Sequence, residues 1–322
     1  MINPTVQQLL APYKGILAAD ESTKTIEKRL MAYGLQSTEE IKQAYRKMLF
    51  TTPDIEKYIN GIILYKDSLN FIPLLNQKGI IAGIKVDEGL ESFNDFEEQV
   101  TKGLDGLSER LDEYKNLGAR FTKWRAVIKI SDLYPSDAFL EENLSRMAKY
   151  AKLVQEKEMT PIVEPEILLD GNHTTTRCEN ITTKTLKKLF ELLNREGVDL
   201  SNLLLKTSMV LPGKDSGVTV MPLEVSNTTL RTLKNSIPSN LPGIVFLSGG
   251  QTPDQAINNL NEIVKLNLNK SFGPWDISFS YSRALQNDAL ATWIGKEENT
   301  ADAQDIFGKR LQMVSKARMG EL

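Results

Sequence analysis

Histidine and cysteine are almost missing from these 322 residues: there is one of each, His173 and Cys178. A single imidazole cannot assemble a multi-histidine site, so a His-rich zinc or iron centre is not expected. A single thiol excludes an internal disulfide framework and fits a reducing compartment. Excess charge of one sign is also lacking. Lys and Arg total 39 against 42 Asp and Glu, for a formal charge of −3 and a pI of about 5.6. That balance gives no case for nucleic acid as a partner, and any attraction for anions must come from local clusters. No apolar run approaches the roughly 18 residues of a membrane span. The opening MINPTVQQLLAPYKG is not a basic stretch followed by an apolar one. No secretory signal and no membrane partner are expected, and the expected location is cytoplasmic. His173 sits in the turn-like Asp-Gly-Asn-His and is expected to be an exposed loop residue; Cys178 is expected to be structural.

What is present is a regular alternation. Short apolar runs occur at 15–22, 59–65, 81–86, 119–128, 159–168, 203–210, 243–250 and 276–285. Amphipathic stretches separate most of them, among them 37–50, 94–118, 136–158, 182–197 and 252–267. The segments 182–197 and 252–267 open with threonine caps, and Gly197 closes the first of them. Strand candidates that each feed a helix predict parallel pairing through crossovers. Eight such units predict an α/β fold of the (β/α)8 barrel type, whose usual ~250 residues leave room for N- and C-terminal helical extensions. An open doubly wound sheet would usually carry a glycine-rich phosphate loop after its first strand, and GILAADES has none. LPGKDSG at 211–217 lacks phosphate-loop spacing and carries little weight. No linker or repeat divides the chain, so residues 1–322 are expected to form one domain.

Barrel strands should be almost uniformly apolar. Seven of the eight runs break that rule towards their C-terminal ends. Asp20 and Glu21 close the first, Lys85 and Asp87 the third, and Lys123 and Arg125 lie in the fourth. Glu164 and Glu166 lie in the fifth, Lys206 in the sixth, Ser248 ends the seventh and Arg283 the eighth. In a barrel those ends meet at one pocket. Residues two apart share a face, so Lys123 projects with Arg125, and Glu164 with Glu166. Lys206, inside LLLKTSMV, has two readings. Desolvation and a nearby cation would lower its pKa and make a neutral amine, a nucleophile for a carbonyl carbon. Alternatively its ammonium pairs with Glu164 or Glu166.

GILAADES-T, GIKVDEG, FTKWRAVIKI, PIVEPEILLDG, LLLKTSMVLPG, VFLSGGQ and FSYSRALQ occur in that order over residues from about 10 to 317. Together they closely resemble the class I fructose-1,6-bisphosphate aldolases, the metal-independent type that forms a Schiff base. The resemblance implies a (β/α)8 barrel and a lyase of glycolysis and gluconeogenesis. It implies no cofactor, a phosphorylated sugar substrate and a homo-oligomer, dimer or tetramer. Carried over by motif, Lys206 would form the imine and Glu164 would be the general acid/base. Glu166 would hold the neighbouring lysine and arginine, Arg125 among the substrate contacts. Lys123 would orient the substrate, and Asp20 would bind its C4 hydroxyl. Ser248, Gly249 and Gly250, with Ser282 and Arg283, would hold the C1 phosphate. Ser22, Thr25 and Lys85 would lie near the C6 phosphate, and Lys28 and Arg29 match basic positions near the substrate.

Four features depart from the family pattern. The usual Lys-Pro-Asn reads Lys206-Thr207-Ser208, the usual Tyr-Gly-Arg reads Tyr281-Ser282-Arg283, and Lys24 replaces a common glycine. Animal members end in a mobile tail with a terminal tyrosine that assists proton transfer at C3. This chain stops at Arg318-Met-Gly-Glu-Leu322, so proton return would fall to water or another residue. The rival readings are another Schiff-base barrel, such as a transaldolase, and a scaffold that keeps the fold without the reaction.

Overall fold

The computed structural model describes residues 2–94 and 98–322. Its strands are β1 (Gly15–Ala19), β2 (Ile59–Leu64), β3 (Ile81–Lys85), β4 (Leu90–Ser92), β5 (Gln99–Thr101), β6 (Phe121–Ile128), β7 (Thr160–Ile167), β8 (Leu204–Thr207), β9 (Gly243–Phe246) and β10 (Asp276–Tyr281). The helices are α1 (Pro4–Leu9), α2 (Thr23–Met31), α3 (Glu39–Phe50), α4 (Ile72–Gln77), α5 (Leu107–Asn116), α6 (Asp137–Glu156), α7 (Thr175–Arg195), α8 (Pro222–Ser236), α9 (Pro253–Leu266), α10 (Arg283–Trp293) and α11 (Thr300–Ala317). Every apolar run of the sequence contains a strand, and the expected (β/α)8 barrel is what forms. Its parallel strands close in the order β1-β10-β9-β8-β7-β6-β3-β2.

Alternation along each strand divides the core in two. Outward residues such as Leu17, Ile62, Trp124, Val163, Leu205, Ile244 and Phe279 pack beneath the helices. Inward residues Ile16, Ala18, Ile63, Ile81, Phe121, Ile162, Leu204 and Val245 form a second cluster that fills the lower barrel. Val6, Leu9 and Leu10 from α1 and its cap join that cluster, so the N-terminal extension plugs the floor. Glycine makes the plug possible. A Cβ on Gly83 would stand 2.3 Å from the Phe121 ring, and one on Gly243 would stand 2.5 Å from Leu10. At the other end of the chain, α11 packs on α9, α10 and α3.

Above the apolar floor the strand register builds layers. In a barrel of this kind a layer takes its side chains from alternate strands. Stepping along the paired residues places Lys123, Lys206, Ser280 and Ile63 in one layer. Lys85, Glu164, Leu247 and Ala18 fall in the layer interleaved with it. Asp20, Asp87 and Gly249, just past their strand ends, and Glu166, near the end of β7, continue the second set. The charged residues that break the apolar pattern are thereby stacked at the C-terminal mouth.

Three local expectations are corrected. The stretch 94–118 is not one amphipathic helix. Residues 95–97 lie outside the described residues, 99–101 pair antiparallel with 90–92, and only Leu107–Asn116 is helical. Gly103 and Gly106 adopt positive φ (125° and 62°) and break the helical path. Thr101 is held instead by its N–H, which donates to Asn143 Oδ1 at 3.0 Å. Helix α7 begins not at 182 but at Thr175, because Thr174 caps it by accepting from the Arg177 N–H at 3.1 Å. His173 is buried rather than exposed. Its loop pairs with the 211–217 segment: the Gly213 N–H donates to the His173 carbonyl at 2.8 Å, and the Asp215 N–H to that of Gly171 at 2.9 Å. Cys178 is buried in α7, where burial pushes its thiol up.

Gly83→Ala should cost about 1–3 kcal/mol of unfolding free energy through overpacking against Phe121. Phe121→Leu in the same background should recover part of that loss in urea denaturation. An unchanged Gly83→Ala midpoint would mean that the floor is loosely packed.

Candidate active site

The site is built on a chain of buried ion pairs. Glu164 reaches both lysines of the layer below it. Its Oε1 lies 2.9 Å from Lys206 Nζ and its Oε2 3.1 Å from Lys123 Nζ. Lys123 Nζ also lies 2.7 Å from Asp20 Oδ2 and 4.0 Å from Asp87 Oδ2. Lys206, Glu164, Lys123 and Asp20 are all at most 9% exposed. Of the two partners open to Lys206 it takes Glu164. Glu166 pairs instead with Arg125 Nε. Its Oε1 backs on Gly249, where an added Cβ would lie only 2.6 Å away.

These contacts fix the charge of the carboxylates. Burial opposes ionisation of Asp20, but Lys123 and Lys206 outweigh it and bring its pKa down to about 2. Glu164 is likewise driven up by burial and brought below its ordinary value by Lys123, Lys206 and Arg125. Burial alone would disfavour the Lys123 ammonium, yet Asp20, Glu164 and Asp87 raise its pKa well above the ordinary lysine value. Lys123 is therefore a fixed cation and Glu164 a carboxylate at neutral pH.

The rim carries the remaining expected residues. Ser22 and Thr25 stand at the start of α2 with hydroxyls 3.1 Å apart. Lys24 and Lys28 are exposed on the same helix. Arg283 is exposed at the start of α10, next to Ser282. Ser248 is buried, and Gly250 takes a positive φ of 81° in the turn leading to α9. Two expected rim residues have partners in the fold. Lys85 Nζ lies 2.5 Å from Asp87 Oδ1. Arg29 pairs with Glu21 and donates from Nη1 to Gln286 Oε1 at 3.0 Å. Glu21 also pairs with the buried Arg46 at 2.7 Å and accepts from Ser282 Oγ at 2.9 Å.

The comparisons with known proteins agree with one another. A sequence profile described as fructose-bisphosphate aldolase class-I matches residues 2–322. The chain belongs to the class I fructose-bisphosphate aldolase family. A probable fructose-bisphosphate aldolase class 1 of Xanthomonas campestris pv. campestris is 45% identical, over 98% of this chain and 97% of its own. Cytosolic fructose-bisphosphate aldolase 4 of Arabidopsis thaliana is 44% identical over 96% of this chain and 80% of its own. Fructose-bisphosphate aldolase C of Rattus norvegicus is 41% identical over 98% and 88%. Among solved structures, a ternary co-crystal of the Plasmodium falciparum fructose-bisphosphate aldolase with TRAP and a small-molecule inhibitor superposes with a TM-score of 0.94. It is 43% identical and covers 98% of this chain and 93% of that one. The activity of the family is that of a lyase acting on a phosphorylated sugar. No described helix is long and apolar enough to cross a membrane.

Seen as an aldolase site, the pocket contains groups to which the sequence alone assigned no role. Ser280 shares the layer of Lys123 and Lys206, is buried, and its Oγ has no hydrogen-bond partner. The signal was present: Ser278 and Ser280 alternate with Ile277, Phe279 and Tyr281, which marks small polar residues facing inward. Arg46 and Gln286, which tie Glu21 and Arg29 together, lie on helices far apart in sequence and gave no local signal.

Asp20 links this geometry to acid stability. Its folded pKa of about 2 lies below the ordinary 3.8, so its contribution is complete above that value and is lost as pH falls through about 2. The stability gap between wild type and Asp20→Asn should therefore narrow by about 1 kcal/mol between about pH 5 and pH 3. A gap independent of pH would show that Asp20 titrates normally.

Proposed function

We propose that this family member cleaves fructose 1,6-bisphosphate reversibly to dihydroxyacetone phosphate and glyceraldehyde 3-phosphate through an imine on Lys206. The observation that supports this most strongly is the placing of Glu164 between Lys206 and Lys123, 2.9 and 3.1 Å from their nitrogens. A buried amine beside a buried carboxylate can pass its proton to that carboxylate and attack a ketone. Glu164 is then the group that returns the proton when the C2 oxygen leaves as water. The iminium so formed withdraws electrons from C3, the role a divalent metal ion plays as a Lewis acid in other aldolases.

Bond cleavage needs a base at the C4 hydroxyl. Glu164 serves as that base once Lys206 is tied up in the imine. Asp20 binds and aligns the hydroxyl, and Lys123, fixed as a cation by Asp20 and Glu164, holds the oxygen where negative charge develops. Glu166 keeps Arg125 extended along the same wall. The C1 phosphate lies against the backbone of Ser248, Gly249 and Gly250, where glycine permits close approach, with Ser282 and Arg283 opposite. Ser22, Thr25 and Lys85 serve the C6 phosphate end, and Lys28 and Arg29 are basic groups near the substrate. The two phosphates provide remote binding energy that fixes the reacting carbons. The reaction needs no metal or other cofactor, and the protein acts in the cytoplasm as a homo-oligomer.

Borohydride reduction with dihydroxyacetone phosphate, followed by peptide mapping, should place a covalent adduct on Lys206. Activity should survive EDTA in full. Label on another lysine, or inactivation by the chelator, would overturn the mechanism. Lys206→Met should abolish cleavage with an unchanged circular dichroism spectrum. Glu164→Gln should lower kcat by about 10²–10⁴-fold while single-turnover trapping of the imine slows with it. Rapid imine formation in that variant would assign the proton transfer to a different group.

A further inference from the structure

Asp87 has a place in the site but no role in the scheme above. It lies two residues beyond Lys85, in the same layer as Asp20, Glu166 and Gly249, and is 7% exposed. Its two oxygens face different cations. Oδ1 lies 2.5 Å from Lys85 Nζ, which also donates to the backbone carbonyl of Asp87 at 2.7 Å. Oδ2 accepts from the Arg125 backbone N–H at 3.3 Å and lies 4.0 Å from Lys123 Nζ. The lysines differ in setting. The Lys85 side chain is 12% exposed, with Nζ 5.7 Å from the centre of the Tyr65 ring at the mouth; that of Lys123 is 3% exposed, inside the acid–base cluster.

We propose that Asp87 is a positioning and specificity residue that couples phosphate capture by Lys85 to the acid–base cluster through Lys123. This rests on the aldolase reading. In the arrangement described, Asp87 is the counter-ion of Lys85. A distal substrate phosphate that draws Lys85 outward takes that partner away. A buried carboxylate stripped of its partner is costly, so it moves to the next cation. That cation is Lys123, and the Arg125 amide already holds Oδ2 on the correct side. Approach of a third carboxylate draws Lys123 away from Glu164 Oε2 and leaves that oxygen free to take a proton. Binding of the remote phosphate is thus spent on the reacting centre, and it appears in kcat rather than only in KM.

The test measures kcat and KM for fructose 1,6-bisphosphate and for fructose 1-phosphate, which lacks the distal phosphate. The proteins are wild type, Asp87→Asn, Asp87→Glu, Lys85→Met and the Asp87→Asn/Lys85→Met double variant. Wild type should turn over the bisphosphate at least about tenfold faster at saturation. Asp87→Asn should bring the kcat ratio of the two sugars towards one while the KM ratio persists, because Lys85 still binds phosphate. Lys85→Met should reduce both ratios, and the double variant should show no further change in the kcat ratio. Asp87→Glu, which keeps the charge, should retain a ratio well above one. Equal loss of kcat on both sugars in Asp87→Asn would reduce Asp87 to a structural role and overturn the proposal. If Asp87→Asn fails to fold, an unaltered kcat ratio in Lys85→Met overturns it equally. Wild type that cleaves neither sugar would overturn the aldolase reading and the coupling with it; wild type that cleaves both at equal kcat would overturn the coupling alone.

Discussion

One carboxylate shared between two ammonium groups organises this molecule's chemistry. Glu164 satisfies Lys206 on one oxygen and Lys123 on the other. Removing any of these charges from water is expensive, and the cost is met only if every partner arrives in place. That condition reaches far into the fold. Lys123, Glu164 and Lys206 sit on three adjacent strands, β6, β7 and β8. A one-residue slip in any of them would turn its charged side chain out beneath the helices. The apolar floor below and the ion pairs above therefore depend on the same register.

The inner site is balanced in charge. Lys85, Lys123, Arg125 and Lys206 face Asp20, Asp87, Glu164 and Glu166, so cations and carboxylates are equal in number. A balanced interior suits a reaction in which protons change hands between neighbours. Further cations, Lys24, Lys28 and Arg283, are exposed on the rim around it. The net charge of −3 for the whole chain conceals this arrangement, which is why bulk composition gave no case for nucleic acid as a partner and was silent on a small phosphorylated ligand.

Much of this was legible in the sequence because barrel strands are written in a simple code. Continuous apolar runs located every barrel strand, and a charge two positions from another on one strand identified the shared face of Lys123 and Arg125 and of Glu164 and Glu166. The failures came where non-local contacts decide. Residues 99–101 have a helical pattern but pair with 90–92 and pack on α6. His173 lies in turn-forming sequence, yet a second loop covers it. The tie between Glu21, Arg29, Arg46 and Ser282 joins three helices and a strand end, so no local window could show it. The alternation of Ser278 and Ser280 marked them as inward-facing, but only the register shows that Ser280 shares a layer with Lys123 and Lys206.

The plugged floor also dictates traffic. With Leu9 and Leu10 packed into the cluster that holds Phe121, the described residues fill the barrel floor and leave the charged layers facing the C-terminal mouth. On the proposed scheme, both halves of a cleaved sugar would leave by the mouth through which the whole sugar entered. In that scheme the ketose-derived fragment stays bonded to Lys206 after cleavage, so the free aldehyde would be released first.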